Sequence, residues 1–211
     1  MFLRNVIDSG AEHRVYETEN PFVVAKIPQP WNLYSRKKAQ QDESLCRMYF
    51  SDYCPDTEIP SLYREMRRIR EETRGNLKYA ILQTRVLNPK GITKQLMEEK
   101  TEIQVTMEKI AKKNRDMMKN SGASIEFLGL RNLGRCMLLH LLGNYLPEED
   151  KENLTPATTN VVEGDIGNHH GVYLIDTSLL QTRGEFFAKI IAKIFYPIEK
   201  FYMRKFFGLE I

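Results

Sequence analysis

The order of its secondary-structure signals predicts an α+β protein with a strand-rich first part and a helical second part. Three observations predict it. Short β-type runs separated by turn residues occupy the first ninety residues. Amphipathic helical patterns occupy most of the remainder, and Pro89 and Gly91 punctuate the chain between the two. Strands first and helices later is the mark of segregated rather than alternating elements. The expected layout is one domain of two lobes, a β-rich lobe over 1–88 and a helical lobe over 89–211.

Val6–Ile7 and Arg14–Glu17 flank a polar turn containing Gly10. Asn20–Pro21 marks a second turn, after which Phe22–Ile27 is a compact β-type run that Pro28 and Pro30 stop, since neither can donate to a ladder. Leu45, Met48 and Tyr49 fall at helical spacing within Ser35–Tyr53, which predicts a helix there. Ser61–Arg67 and Lys78–Val86 follow as strands joined through Gly75–Asn76. Thr93–Lys119 reads as one helix with a charged face, ended by Gly122. Ile125–Leu146 reads as a second, with a broad apolar face closed by Pro147. Asn160–Val162 and Val172–Ile175 read as a hairpin with glycines between them. A final helix spans 185–207, and Pro197 should kink or divide it.

With 42% hydrophobic and 28% charged residues the chain belongs with globular rather than disordered proteins. A net charge of only +3 argues against a nucleic-acid binder, despite the clusters at Arg64–Arg74 and Lys112–Arg115. Three cysteines, Cys46, Cys54 and Cys136, without CxxC spacing, supply neither a disulfide framework nor a zinc signature. A reducing, cytoplasmic setting is the expectation, and Arg4 and Asp8 interrupt the one apolar stretch that could resemble a leader.

Four features carry chemistry. The run from Asp8 to Tyr16, with Gly10 between two strands, lets backbone approach a phosphate closely. Lys26 sits inside the apolar strand Val24-Ala25-Lys26-Ile27 and needs a reason to be there. Glu43, on the helix that follows, can hold its ammonium, with Asp42 as a competitor. Asn160 and Asp176, at the ends of neighbouring strands, offer two oxygens to a hard cation such as Mg²⁺.

Taken in order, these residues resemble the protein-kinase-like fold over about residues 1–180. The resemblance implies that Gly10 and Val15 cover ATP, that Lys26 contacts its phosphates and is held by Glu43, and that Thr84 and Val86 belong to the strand whose backbone meets the adenine edge. It implies that Asn160 and Asp176 hold Mg²⁺, the latter in an Asp-Thr-Ser version of the metal-binding element. Asp8 and His13 stand where the loop's outer glycines would be. Size and layout are most similar to the small bacterial YrbL-type family connected with the PhoP regulon.

The pattern also fails in places. Thr155 and Ala157 stand where a kinase-like loop carries its catalytic aspartate and lysine. A hydroxyl cannot accept a proton near neutral pH as a carboxylate does. Asp165, His169 and His170 are the nearby groups that could orient an acceptor instead. The readings left open are a phosphotransferase with a degenerate loop acting on a protein or small-molecule acceptor, and a pseudokinase or protein-interaction module. A third is a peripheral membrane protein using the basic, aromatic tail from Phe186 to Phe207.

Overall fold

The computed structural model describes residues 3–9, 13–29, 35–60, 79–176, 179–181 and 186–211. The first part is an antiparallel sheet of β1 (Leu3–Ser9), β2 (His13–Thr18), β3 (Val23–Pro28), β4 (Thr57–Glu58) and β5 (Ile81–Thr84), in the order β1-β2-β3-β5-β4. The turn between β2 and β3 is set by Asn20, whose side-chain oxygen accepts from the Phe22 N–H at 3.0 Å. The Thr18 hydroxyl closes the same turn onto Val23 O at 2.9 Å. Gly10, Trp31, the Ser61–Arg67 strand, the Gly75–Asn76 turn and the arginines of 64–74 lie outside the described residues.

Helix α1 (Arg36–Phe50) begins where the Ser35 hydroxyl accepts from the Lys38 N–H at 3.1 Å. It lies on one face of the sheet, Ala39 packing with Tyr79 and Ile81. The other face carries Ala25, Ile27 and Ala80 beneath Leu3, Tyr16 and Leu82. Cys46 and Phe50 of α1 belong instead to the main core, which ties the sheet to the helical part.

Asn88–Gly91, expected as the joint, is itself a strand, β6 (Leu87–Gly91). Asn88 adopts φ 50°, and the register shifts between Leu87 and Lys90. β6 pairs with β8 (Val161–Ile166), which forms a hairpin with β9 (His169–Leu174) around Gly167–Asn168. His169 and His170 are therefore exposed strand residues.

The helix expected over Thr93–Lys119 is two: α2 (Lys94–Glu99), capped by the Thr93 hydroxyl, and α3 (Thr101–Ser121). They break at Lys100, whose backbone is extended and whose ammonium is drawn to Glu163 of β8. Gly122, at φ 72°, closes α3 in the left-handed conformation that glycine adopts most easily. The helix expected from Ile125 begins only at Gly129, as α4 (Gly129–Leu142). Before it, β7 (Ala123–Ile125) pairs with β10 (Leu179–Gln181), a sheet partnership that overrides the apolar helical period. A short α5 (Glu148–Asn153) leads back towards β8. The last helix, α6 (Phe186–Tyr202), runs through Pro197 without dividing. Pro197 is exposed, so the carbonyl that loses its donor can be hydrated. The irregularity comes later, as a π-helical turn over Met203–Phe207.

The main core gathers Ile92, Met107, Ile110, Met117, Ile125, Phe127, Leu128, Leu174 and Met203, all fully buried. Burying each contributes roughly 1.5–3 kcal/mol. Inside it, Asn114 of α3 donates to the Ser124 hydroxyl at 2.9 Å and accepts from the Ile125 N–H at 2.9 Å. No described helix is long and apolar enough to cross a membrane.

Gly91 is where β6 passes the loop leading to Asn160. A β-carbon there would lie 2.3 Å from the Thr158 carbonyl oxygen. That neighbour is backbone and cannot step aside as a flexible side chain could, so Gly91→Ala should cost about 1–3 kcal/mol. Thermal denaturation should register a fall in Tm of roughly 3–10 °C.

Candidate functional site

Cross-strand partners share a face of a sheet. Asp8 pairs with Val15, Val15 with Lys26, and Lys26 with Ile81, so these four line one row beneath α1. Val24 shares that face by alternation and is buried. His13, two residues before Val15, shares the same face by alternation, its Nε2 lying 3.2 Å from the Tyr79 hydroxyl. Burial, and secondarily Lys26, pushes the His13 imidazole down, while Asp176 pulls it up.

Lys26 reaches out of the sheet and donates to the Ile175 carbonyl, next to Asp176. The Ile175 N–H in turn donates to the Asn160 carbonyl at 2.8 Å, extending the β8–β9 ladder by one pair. Lys26 of the sheet part and Asn160 and Asp176 of the helical part thus meet in one place. Burial pushes the Lys26 ammonium below its ordinary range, and Asp176, Glu43 and Asp8 oppose that shift in decreasing order.

The anticipated Lys26–Glu43 bond is replaced by two others. Lys26 takes the Ile175 carbonyl, and Glu43 accepts from Arg47 Nε at 2.6 Å, one turn along α1. Arg47 is held there by the Pro55 carbonyl at 2.9 Å. Glu43 is buried, and its Oε2 takes no hydrogen bond among the described residues. Asp42, read only as a competitor, has a distinct place: it pairs with Lys38 and accepts from Gln181 Nε2 of β10 at 2.6 Å. Burial pushes the Asp42 carboxyl up, and Lys38 opposes it. The i,i+4 spacing of Lys38 and Asp42 was a visible signal. The contact with Gln181 had none.

Thr84 and Val86 flank the exit from β5. The Thr84 N–H donates to the Asp56 carbonyl at 2.7 Å, and the Arg85 N–H to the Phe22 carbonyl at 2.8 Å. Val86 turns towards Gly164 of β8, where a β-carbon would meet it at 2.5 Å. Strand β8 therefore closes on the segment that joins the two parts.

The loop before Asn160 is fixed at both edges. Thr158 exchanges bonds with Ile92, and the Thr159 N–H donates to the Phe127 carbonyl at 2.7 Å. Thr155 is exposed, and among the described residues its hydroxyl reaches the Lys151 carbonyl, at 3.4 Å. Asp165, His169 and His170 do not join the site. They sit at the hairpin tip, and five residues of strand put Asp165 about 16 Å from Asn160.

There Asp165 and His170 line a separate cleft of about 400 Å³. His170 bridges Asp165 at 2.8 Å and Glu163 at 2.9 Å, and Lys100 also pairs with Glu163. Asp165 first and Glu163 second pull the His170 imidazole up. Because the two ring nitrogens face different carboxylates, the trio does not converge on one point.

A second buried carboxylate lies away from both places. Glu199 of α6 accepts from the Phe127 N–H at 2.7 Å and the Leu128 N–H at 2.8 Å, at the start of α4. Burial pushes its carboxyl up to about 8, against the pull of those two bonds. The thiols of Cys54 and Cys136 are likewise pushed by burial to about 12, and all three cysteines are unpaired with one another.

No family model, no curated protein and no solved structure matches the chain.

Proposed function

We propose that this chain binds ATP with Mg²⁺ as a protein of the kinase-like class, in the space between the five-stranded sheet and the β8–β9 hairpin. The observation that carries this is the meeting of Lys26 with Ile175, Asp176 and Asn160. Sheet order β1-β2-β3-β5-β4, with α1 inserted between β3 and β4, supports the same class. So does β10 returning to pair with β7 directly after Asp176.

The residues fit the ligands. Lys26 is a cation where the sheet meets the β8–β9 hairpin, and Val15 and Val24 are apolar residues on its own face of the sheet. Asn160 and Asp176 would hold Mg²⁺, which would neutralise the phosphate charge. Among the described residues no group of three or more His, Cys, Asp or Glu forms an all-protein cage. Mg²⁺ does not require one, since it retains waters and takes phosphate oxygens. The Glu43 Oε2 is a buried acceptor with room for a further donor.

A second reading, nucleotide binding without transfer, is favoured by the exposed Thr155 in place of a base. Losing a general base costs roughly 10²–10⁴ in rate, which slows transfer without touching affinity. Thermal denaturation with Mg·ATP tests the binding. At a hundredfold excess over Kd the ligand should add about 2.7 kcal/mol, a rise in Tm of roughly 5–10 °C. Asp176→Ala should remove the part of that rise that depends on Mg²⁺. No rise with Mg·ATP sinks the proposal. Label transferred from radiolabelled ATP to the chain itself would then separate a kinase from a binding module.

A further inference from the structure

We propose that the outward side of α6, continued by α4, docks on an anionic membrane surface, lying on it rather than crossing it. This is independent of the nucleotide site. The inward side of α6 is fixed by Ala192, Glu199, Tyr202 and the following Met203, all buried. Its outward side should then be polar. Instead Ile190, Ile194, Pro197 and Phe201, at helical spacings i, i+4, i+7 and i+11, form one exposed stripe. Ile194 is 53% exposed and Phe201 49%.

Beside that stripe Lys189, Lys193 and Lys200 form a second, exposed row. The one acidic residue in α6 among its described side chains, Glu199, is buried and points inward. The solvent side of the helix is therefore amphipathic in its own right, apolar along one line and basic along the next. Such a face suits the boundary between headgroups and acyl chains, with lysines reaching anionic lipid.

The apolar line does not end with α6. His140 of α4 stacks on Phe201 at 5.3 Å between ring centroids. Beyond it Leu138, Leu141 and Leu142 of α4 are exposed, Leu141 at 68%. Both neighbouring helices thus expose several apolar side chains, more than the single scattered residues a protein surface ordinarily shows.

Charge decides between occupants. A second copy meeting this face about a two-fold axis perpendicular to α6 would set one lysine row against another. The face offers exposed apolar side chains beside a lysine row, so it selects a partner by charge and apolarity. An anionic lipid surface has both properties.

The test is co-sedimentation of the full chain with vesicles of phosphatidylcholine alone and of phosphatidylcholine mixed with phosphatidylglycerol. Binding is expected only with the anionic vesicles and should fall as salt is raised. The triple variant Lys189→Gln, Lys193→Gln, Lys200→Gln should lose on the order of a hundredfold in partitioning, since each lysine contributes about fivefold. Ile190→Ser with Ile194→Ser should lose at least about tenfold. Wild-type protein that stays in the supernatant, or that binds neutral vesicles equally and without salt dependence, overturns the proposal whatever the variants do. So does a triple variant that binds like wild type. A dimer in light scattering that the isoleucine variant disperses would assign the face to a second copy and equally overturn it.

Discussion

Lys26→Met is expected to leave the ligand-free protein as stable as wild type or more so, and to remove most of its response to Mg·ATP. The two halves of this expectation come from the same position. Burial disfavours the Lys26 ammonium, which Asp176, Glu43 and Asp8 only partly compensate. A thioether chain of similar length fills the same space without that desolvation cost, which offsets the loss of the bond to the Ile175 carbonyl, about 1–3 kcal/mol. A charge-assisted bond to phosphate contributes about 1.5–3 kcal/mol, so affinity for Mg·ATP should fall roughly 10- to 100-fold. Calorimetric titration and thermal denaturation of the same two samples measure both. A lysine kept for structure would give the reverse result: a lower Tm without ligand and an unchanged titration. Stability given up for a function is common at binding sites.

Glu199→Ala should be the most damaging single change outside the cleft. It strips the Phe127 and Leu128 N–H groups of their acceptor at the start of α4. Each buried donor left unpaired costs about 1–3 kcal/mol, so the loss is about 2–5 kcal/mol and Tm should drop roughly 5–15 °C. Glu199→Gln keeps a side-chain oxygen and should recover most of this. The two also separate by pH. With its carboxyl raised from 4.5 to about 8, folded Glu199 holds a proton that the unfolded chain releases earlier. The contribution of this group is therefore full below about 4.5, declines as pH rises, and levels off above about 8. Measured against wild type, the Tm of Glu199→Gln should gain steadily from about pH 5 to about pH 8. His170 is also raised, with the same sign, but it is exposed and contributes little, and it is common to both proteins. A constant difference across the range would show that the carboxyl titrates normally.

The strands of the first part were legible because they are bounded by residues with strict backbone demands, such as Pro28 and the Asn20–Pro21 turn. The segregation of strands and helices followed from the same signals. What misled was apolar period without partner. Ile125 continues the helical spacing of α4, yet its main chain belongs to Leu179, some fifty residues on. Lys100 sits amid strong helix formers and is pulled out of helix by Glu163, a tertiary contact that propensity does not encode. At the candidate site, Lys26, Asn160 and Asp176 were legible because each is a polar residue at the end or middle of an apolar run. The substitution of Ile175 for Glu43 as the partner of Lys26 was not, because a backbone carbonyl has no letter in the sequence. Val24 could have been named from alternation with Lys26 alone.

Asn114 has a consequence beyond its three hydrogen bonds with Ser124 and Ile125. β7 and β10 are three residues each, and β7 is buried on both sides, so no alternation of apolar and polar residues tells the two strands where to stop sliding. A slip of β7 along α3 by one residue would cost almost nothing in oil-like contact but would strand a buried amide. The amide therefore works as an alignment pin. β10, which begins three residues after Asp176, is thus laid against a strand already fixed to α3.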